Sequence, residues 1–470
     1  MKLTRLKLQN FRCFDSLVVE LDERLTVLVA PNGQGKTTVL DAIRIALWPY
    51  VSAFDVVSGT MPGSGIDIDD VRVRLTRQAS PRTMEPRLPS VVSAVAVIAG
   101  ETVSWSRSRE KVSAGSKTTV REAKPLMEVG FAYQARIRLI DEYDSEKTKD
   151  VTLPLVAYYG TGRLWKRRKV TLKRESNTNI FSRTSAYLGC LDSASDYGSF
   201  LEWFFFLYAA DFEQKTKTLE REGFHGLFDD GTPYGDLLTA ISGSVDLVMS
   251  QSGWSQLRYS PANQTLIMSH PELGDMKVDQ LSDGQRNLIA MAGDIAYRCV
   301  RLNPHLARDA TRQTEGIVLI DEIDMHLHPQ WQQTVVDSFQ SAFPRIQFIL
   351  TTHSPQVIST VPVESIRILG QNLDRPAIPS EETRGIASSS VLSSIFGTDP
   401  IPNVPEADWL SRYLAQIQQG IHNSPDGLEL REKLIQHFGK NHPVIRDADR
   451  MIRLEEFKRR LPLPATLSEG

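Results

Sequence analysis

Ala30-Pro31-Asn32-Gly33-Gln34-Gly35-Lys36-Thr37 follows an apolar run, Leu25 to Ala30, and precedes a segment in which Val39, Leu40, Ile43 and Leu47 recur at helical spacing. The octet therefore reads as a tight turn from a buried strand into a helix. It matches the phosphate-loop pattern, with Ala30 at the position of the first glycine. Backbone N–H groups around Gly33 and Gly35 can wrap a phosphate because no Cβ blocks the turn, and the helix N-terminus adds roughly half a positive charge. Asn32, Gly33, Gly35, Lys36, Thr37 and Thr38 are the expected nucleotide-binding residues of this loop. Lys36 is expected to reach the β- and γ-phosphates, and Thr37 to ligate Mg²⁺.

Three later stretches carry complementary chemistry. Ile317 to Ile320 is a short apolar strand ending in Asp321-Glu322. Asp321 is expected to hold Mg²⁺ through its water shell, and Glu322 to polarise the attacking water. A second apolar strand, Ile346 to Leu350, leads to Thr351-Thr352-His353-Ser354-Pro355. There the ring N–H of His353 can donate to a terminal phosphate oxygen. Gln280-Leu281-Ser282-Asp283-Gly284-Gln285-Arg286-Asn287 opens an apolar-periodic helix, where the Ser282 hydroxyl, the Gly284 backbone and Gln285 form a second anion site. An isolated Ser-x-Gly-Gln would be no more than a helix cap, and an isolated Asp-Glu no more than a strand end. Their order along one chain gives them weight.

The chain has 470 residues, with 54 Lys+Arg against 57 Asp+Glu and a formal net charge of -3. That length calls for two or three folding units, and the balanced charge requires any nucleic-acid contact to come from a local patch. Cys13, Cys190 and Cys299 lie far apart without CxxC spacing, which speaks against a zinc knuckle and a secreted disulfide framework. The longest strongly apolar run, Trp203 to Ala210, is too short to cross a bilayer, and the N-terminus has no signal-peptide core; a cytoplasmic location is expected.

Five segments are expected. Residues 1–50 form the N-terminal part of the nucleotide lobe, and residues 51–150 an antiparallel β arm, with Val71 to Leu75, Val91 to Ile98 and Ala135 to Ile140 read as strands. Residues 151–264 comprise the Tyr159-Gly160-Thr161-Gly162-Arg163 turn, the basic cluster Trp165 to Lys169 and a helical insertion. Residues 265–370 return to the nucleotide lobe, and residues 371–470 form a helical extension for partner contact, with Trp409, Tyr413, Ile417 and Ile421 at helical spacing.

In the order phosphate loop, LSDGQ, VLIDE and TTH, these motifs resemble the ATP-binding cassette ATPases, with Asp283 in place of the usual signature glycine. Asn10-Phe11-Arg12-Cys13-Phe14 ahead of the loop narrows the likeness to the RecF and structural-maintenance-of-chromosomes branch, in which the arginine matching Arg12 contacts nucleotide phosphate. No heptad register follows to supply the long coiled coils that Rad50 and the chromosome-maintenance proteins of this branch need, which sets those families aside. Asp321 to Gln332, Tyr159 to Arg163 and Thr352 to Gln356 resemble the PtuA-type ATPases of Septu and retron antiphage systems.

The resemblance implies an α/β ATP-binding-cassette-type head with an antiparallel β arm, a helical signature lobe and a C-terminal helical extension. It implies ATP and Mg²⁺ as cofactors, and a homodimer or higher even oligomer in which the signature of one copy completes the site of the other. It further implies an HNH nuclease partner resembling PtuB and, in retrons, a reverse transcriptase with its RNA-DNA; direct DNA contact is left open. The alternative is a RecF-like repair or recombination ATPase. Asp447-Ala448-Asp449 lacks a preceding strand bearing Glu-Gly, so it reads as a solvated helix face rather than a built-in nuclease. His326 and His328 lack a third metal ligand nearby.

Overall fold

A computed structural model of the protein describes residues 1–58, 64–75, 84–113, 117–143, 151–162, 182–192, 197–222, 231–370 and 373–460. Arg163 and the basic cluster Trp165 to Lys169 lie outside these residues, as do parts of the loops on either side of Val71 to Leu75. In chain order the strands are β1 (Lys2–Phe11), β2 (Phe14–Glu20), β3 (Leu25–Val29), β4 (Val73–Leu75), β5 (Met84–Pro86), β6 (Ser90–Ile98), β7 (Glu101–Arg109), β8 (Leu155–Tyr159), β9 (Ser255–Ser260), β10 (Thr265–His270), β11 (Gly274–Lys277), β12 (Gly316–Ile320), β13 (Ile346–Thr351) and β14 (Ile366–Ile368). The longer helices are α1 (Lys36–Val51), α2 (Lys124–Tyr143), α3 (Tyr197–Glu222), α4 (Pro233–Met249), α5 (Asp283–Leu302), α6 (Val335–Ala342), α7 (Pro405–Gln419), α8 (Pro425–Phe438) and α9 (Pro443–Arg460).

Residues 1–391 form one compact unit and residues 392–470 a second. The first is built on a parallel sheet in the order β14-β3-β13-β12-β8. Every residue of β3, β8, β12 and β13 is buried, which explains why these strands read as continuous apolar runs rather than alternating ones. Because all five strands are parallel, the loops at their C-terminal ends share one edge, and the phosphate loop, Asp321-Glu322 and Thr352-His353 all lie there.

A second, antiparallel sheet runs β2-β1-β6-β7. Here β6 alternates, burying Ser90, Val92, Ala94, Ala96 and Ile98 while the residues between them are more exposed, whereas β7 ends in three successive buried residues, Arg107 to Arg109. Two of its four strands come from the first twenty residues, so this sheet combines chain from both sides of residue 50.

The two sheets are joined by the buried amide of Gln347 on β13. Its Oε1 accepts from Leu3 N at 2.7 Å, and its Nε2 donates to Leu3 O at 2.7 Å and Asp22 O at 2.6 Å. The side chain thus substitutes for one peptide of a neighbouring strand.

The same sheet is also fastened to α1. Pro49 lies inside α1 and has no N–H for the carbonyl of Ile45. Arg107 Nη1 on β7 donates to that carbonyl at 3.0 Å, and Trp105 Nε1 donates to Ala46 O at 2.7 Å. Burial without a neutralising carboxylate pulls the Arg107 pKa down to about 10.

Ala135 to Ile140, read as a strand, is helical and belongs to α2. Leu126, Gly130, Gln134 and Ile137 are its buried face, spaced by four, four and three residues. A Cβ on Gly130 would stand 2.6 Å from Ala53 Cβ and 2.8 Å from Tyr50 O, so glycine allows α2 to lie directly on the end of α1. The six-residue window was too short to distinguish a period of two from one of 3.6.

In the second unit α7, α8 and α9 enclose Tyr413, Ile417, Leu430, Leu434, Ile445 and Ala448. Helix α7 stops at Gly420, whose φ of 75° is left-handed, so Ile421 falls beyond the helix and is exposed. Asp447-Ala448-Asp449 lies on α9, a helix as expected, but not wholly on a solvated face: Ala448 is packed in this core and Asp449 pairs with Arg431 at 2.7 Å.

Gln347→Leu leaves Leu3 N, Leu3 O and Asp22 O without their partner, and is expected to lower unfolding free energy by roughly 2–4 kcal/mol in urea titrations.

Candidate active site

The phosphate loop takes the shape its sequence requires. Gly33 and Gly35 have φ of 75° and 92°, in the left-handed region that favours glycine. A Cβ on Gly35 would stand 2.5 Å from the Phe14 ring and 2.7 Å from Cys13 Sγ, so the turn between β1 and β2 supports the loop from behind. Asn32 and Gly33 are exposed, whereas Lys36 and Thr38 are buried. Lys36 Nζ donates to Ala30 O at 2.9 Å. Burial lowers the Lys36 pKa, against the opposing pull of Asp321, Glu322 and Asp324.

Asp321 joins three strand ends. Thr37 Oγ1 donates to its Oδ2 at 2.9 Å, and Thr351 Oγ1 to its Oδ1 at 2.5 Å. Its backbone N–H donates to Tyr159 O at 2.8 Å. The Thr37 hydroxyl and the Asp321 carboxylate are hard oxygen donors brought side by side, a pair suited to Mg²⁺, which binds few protein oxygens and retains water. Among the described residues there is no cluster of three or more His, Cys, Asp or Glu able to hold a metal, His326 and His328 included.

Glu322 follows with φ of 48°, its N–H donating to Thr351 Oγ1 at 2.7 Å. The left-handed turn redirects the chain immediately after the strand. Thr352 Oγ1 donates to Asp324 Oδ1 at 2.5 Å, and Gln332 Nε2 donates to Leu327 O at 2.9 Å, so residues 324–328 are held as a second shaped loop. His353 is partly buried beside Lys36 and the same three carboxylates. Burial and the Lys36 charge lower its pKa below the usual 6.5 or so, against the pull of Asp324, Glu322 and Asp321, leaving the ring neutral at pH 7.

Ser282 caps α5, accepting from Gln285 N at 3.4 Å while Gln285 Oε1 accepts from Ser282 N at 3.0 Å. A Cβ on Gly284 would stand 2.4 Å from His326 O, so glycine allows the signature turn to rest on the loop after Glu322. Asp283, at the usual glycine position, is ion-paired to Arg286. Within this one chain Ser282 and Gln285 bond each other rather than the group around Lys36. Arg12 has φ of 46° and is held by Asp41 at 2.7 Å and Asp70 at 2.8 Å. Burial works against its charge, but these two carboxylates raise its pKa.

The sequence reading singled out neither Thr351 nor Asp41 and Asp70. Thr351 carries a signal, since it is a polar residue that directly follows the apolar run Phe348 to Leu350. Asp41 and Asp70 carry none, because their role depends on where Arg12 lies in space.

Residues 25–359 match the family model described as AAA domain, putative AbiEii toxin, Type IV TA system. The chain belongs to this family. It is an ATPase, in agreement with the expectation from its motifs. The retron Vc95 probable ATPase of Vibrio cholerae serotype O1 biovar El Tor is 26% identical over 93% of this chain and 87% of its own length. The retron Ec83 probable ATPase of Escherichia coli is 27% identical over 95% of this chain and 85% of its own length. The Septu protein PtuA of Bacillus mycoides is 40% identical, over 28% of this chain and 18% of its own length. These relatives agree with the resemblance drawn from the motifs.

Thr351→Val keeps the shape of the side chain but leaves Asp321 Oδ1 and Glu322 N without their shared hydroxyl. The expected result is a loss of roughly 1–3 kcal/mol in chemical denaturation, with ATP turnover falling further than the stability change alone explains.

Proposed function

We propose that the chain binds Mg-ATP at the C-terminal edge of the parallel sheet and hydrolyses it between two copies of itself. The observation that carries this reading is the Thr37–Asp321–Thr351 link, which joins the phosphate loop to the carboxylate strand. Asn32, Gly33, Gly35, Lys36, Thr37 and Thr38 bind the triphosphate, with Lys36 leaving Ala30 O for the β- and γ-phosphates. Thr37 and Asp321 hold Mg²⁺, which offsets phosphate charge when bound. Glu322 orients and polarises the water, and neutral His353 donates its N–H to the γ-phosphate. Arg12 assists at the phosphates from its seat on Asp41 and Asp70.

Ser282, Gly284 and Gln285 serve the partner copy. Their helix N-terminus is a phosphate-binding feature, yet within one chain their side chains bond each other, so closing the site requires a homodimer or a higher even oligomer. The nucleotide state then governs a separate HNH nuclease similar to PtuB, in a phage-defence complex that in a retron setting also holds a reverse transcriptase and its RNA-DNA. The retron names of two relatives that span nearly the whole chain support this reading over a RecF-like repair role. The expected setting is the cytoplasm; among the described residues no helix is long and apolar enough to cross a membrane. Residues 371–470 provide the partner contact.

Lys36→Ala is expected to weaken ATP binding by at least about tenfold in equilibrium titration, since it removes a charge that meets the phosphates. Glu322→Gln should retain ATP and drive the chain into dimers while turnover falls by about a hundredfold or more; a wild-type rate removes Glu322 from its role. ATP should also raise the His353 pKa, read from its ring carbon shift by NMR, because a phosphate oxygen favours the charged ring. Co-purification with an HNH protein supports the defence reading, whereas DNA-stimulated turnover without such a partner supports the repair one.

A further inference from the structure

Tyr159 does two things at once. Its carbonyl accepts the Asp321 N–H at 2.8 Å, and its hydroxyl donates to Asp294 Oδ2 on α5 at 2.6 Å. Arg298, one turn further along α5, donates through Nε to the same oxygen at 2.8 Å. Tyr159, Asp294 and Arg298 are 1%, 2% and 5% exposed, so the three polar groups meet away from water. Asp294 Oδ1 is buried with no hydrogen-bond partner among the described residues. In such surroundings a hydrogen bond to a carboxylate is strong, and a carboxylate that loses one donor has no solvent to replace it. Burial, followed by the Asp294 charge, raises the Tyr159 pKa well above its usual value, which keeps the hydroxyl a donor.

The surrounding segment strengthens the tie. Arg298 Nη1 also donates to Leu188 O at 3.1 Å, and Arg301 Nε donates to Ser185 Oγ at 2.6 Å. Cys190 O in turn accepts from Tyr158 N at 2.7 Å. Residues 185–190 therefore bridge β8 and α5 beside the Tyr159 contact. The only side-chain hydroxyl on β8 that reaches α5 among the described hydrogen bonds is that of Tyr159.

Asp294 is about 18 Å along the axis of α5 from Ser282, at roughly 1.5 Å per residue. A rigid helix transmits displacement over that distance, but only if it is fastened there to something that matters. Here it is fastened to the residue whose carbonyl sets Asp321.

We infer that Tyr159 is a positioning residue for ATP hydrolysis, coupling the position of the signature helix α5 to the Asp321-Glu322 end of β12 through its hydroxyl contact with Asp294. Engagement of Ser282 and Gly284 by nucleotide loads α5 from its N-terminus. The buried Tyr159–Asp294–Arg298 group carries that load to the strand bearing the hydrolytic carboxylates. The inference rests on the signature role proposed above for Ser282.

The test uses the full chain with Tyr159→Phe, which keeps the ring and the Asp294–Arg298 pair. Steady-state turnover, ATP affinity and thermal midpoint are measured together, and Tyr159→Phe is repeated in a Ser282→Ala background. The expected result is a kcat lower by about tenfold with affinity within about twofold of wild type, a split that marks an interaction needed after binding. In the Ser282→Ala background the further loss should shrink to less than about twofold, because both changes break one line of coupling. A wild-type kcat in Tyr159→Phe overturns the inference. So does a parallel loss of turnover, affinity and thermal midpoint, which marks a purely structural residue, and so do effects of the two substitutions that multiply independently. If Ser282→Ala alone leaves turnover unchanged, the signature assignment fails and the coupling fails with it. A slow Ser282→Ala beside a fast Tyr159→Phe overturns the coupling and leaves the signature assignment standing.

Discussion

The Asp321 carboxylate accepts a hydroxyl on each oxygen, from Thr37 on one side and Thr351 on the other. The first hydroxyl belongs to the helix that follows β3, the second to the end of β13, and Asp321 itself follows β12. Adjacent strands of a parallel sheet are separated by long connections, so their loops have no local reason to meet in a fixed arrangement. One carboxylate with two donors supplies that reason. It also fixes the direction of Glu322, whose N–H bonds to the same Thr351 oxygen, and the left-handed turn at Glu322 is then part of the arrangement. Losing one hydroxyl takes a donor from a carboxylate at the end of a fully buried strand, where little water can replace it.

The motifs were legible because each combines residue type with a demand on the backbone. Gly35 is required by the Phe14 ring and the Cys13 thiol behind it, and Gly284 by the carbonyl of His326. A pattern of glycines records such close approaches, even before the approaching group is known. The buried strands were legible for a different reason: a strand covered on both faces reads as a nearly continuous apolar run, interrupted here by Thr26 in β3 and by Gln347 and Thr351 in β13. What sequence could not supply was the partner of each charge. Arg12 was expected to face phosphate, and it rests between Asp41 and Asp70, which are separated from it by 29 and 58 residues. Nothing in their spacing distinguishes those two aspartates from the others in the chain. The Ala135 to Ile140 helix was missed because a few alternating residues satisfy both periods, and only the full span of α2 separates them.

Glycine and proline also explain how the antiparallel sheet is fastened to the phosphate-loop helix. At the front of α1, Gly35 allows the β1–β2 turn to press against the loop. Near its end, Pro49 frees the Ile45 carbonyl, and Arg107 takes it up. Beside it, Trp105 donates to Ala46 O from the same strand, while Gly130 allows α2 to touch the Tyr50 carbonyl. Helix α1 is thus gripped at both ends by the sheet and its helix, and along its middle by the parallel sheet. An arginine buried against carbonyl oxygens alone is a costly choice, as the fall in its pKa records. The cost makes sense if the contact must hold: the guanidinium reaches the Ile45 carbonyl that Pro49 leaves free and the Ser64 carbonyl of a later loop, and a neutral side chain of that length would offer fewer donors. A displacement of α1 relative to β7 would take the Ile45 carbonyl from that buried cation, with little water at hand to replace it. The antiparallel sheet is therefore tied to both ends of the phosphate-loop helix, through Gly35 at one and through Arg107, Trp105 and Gly130 at the other.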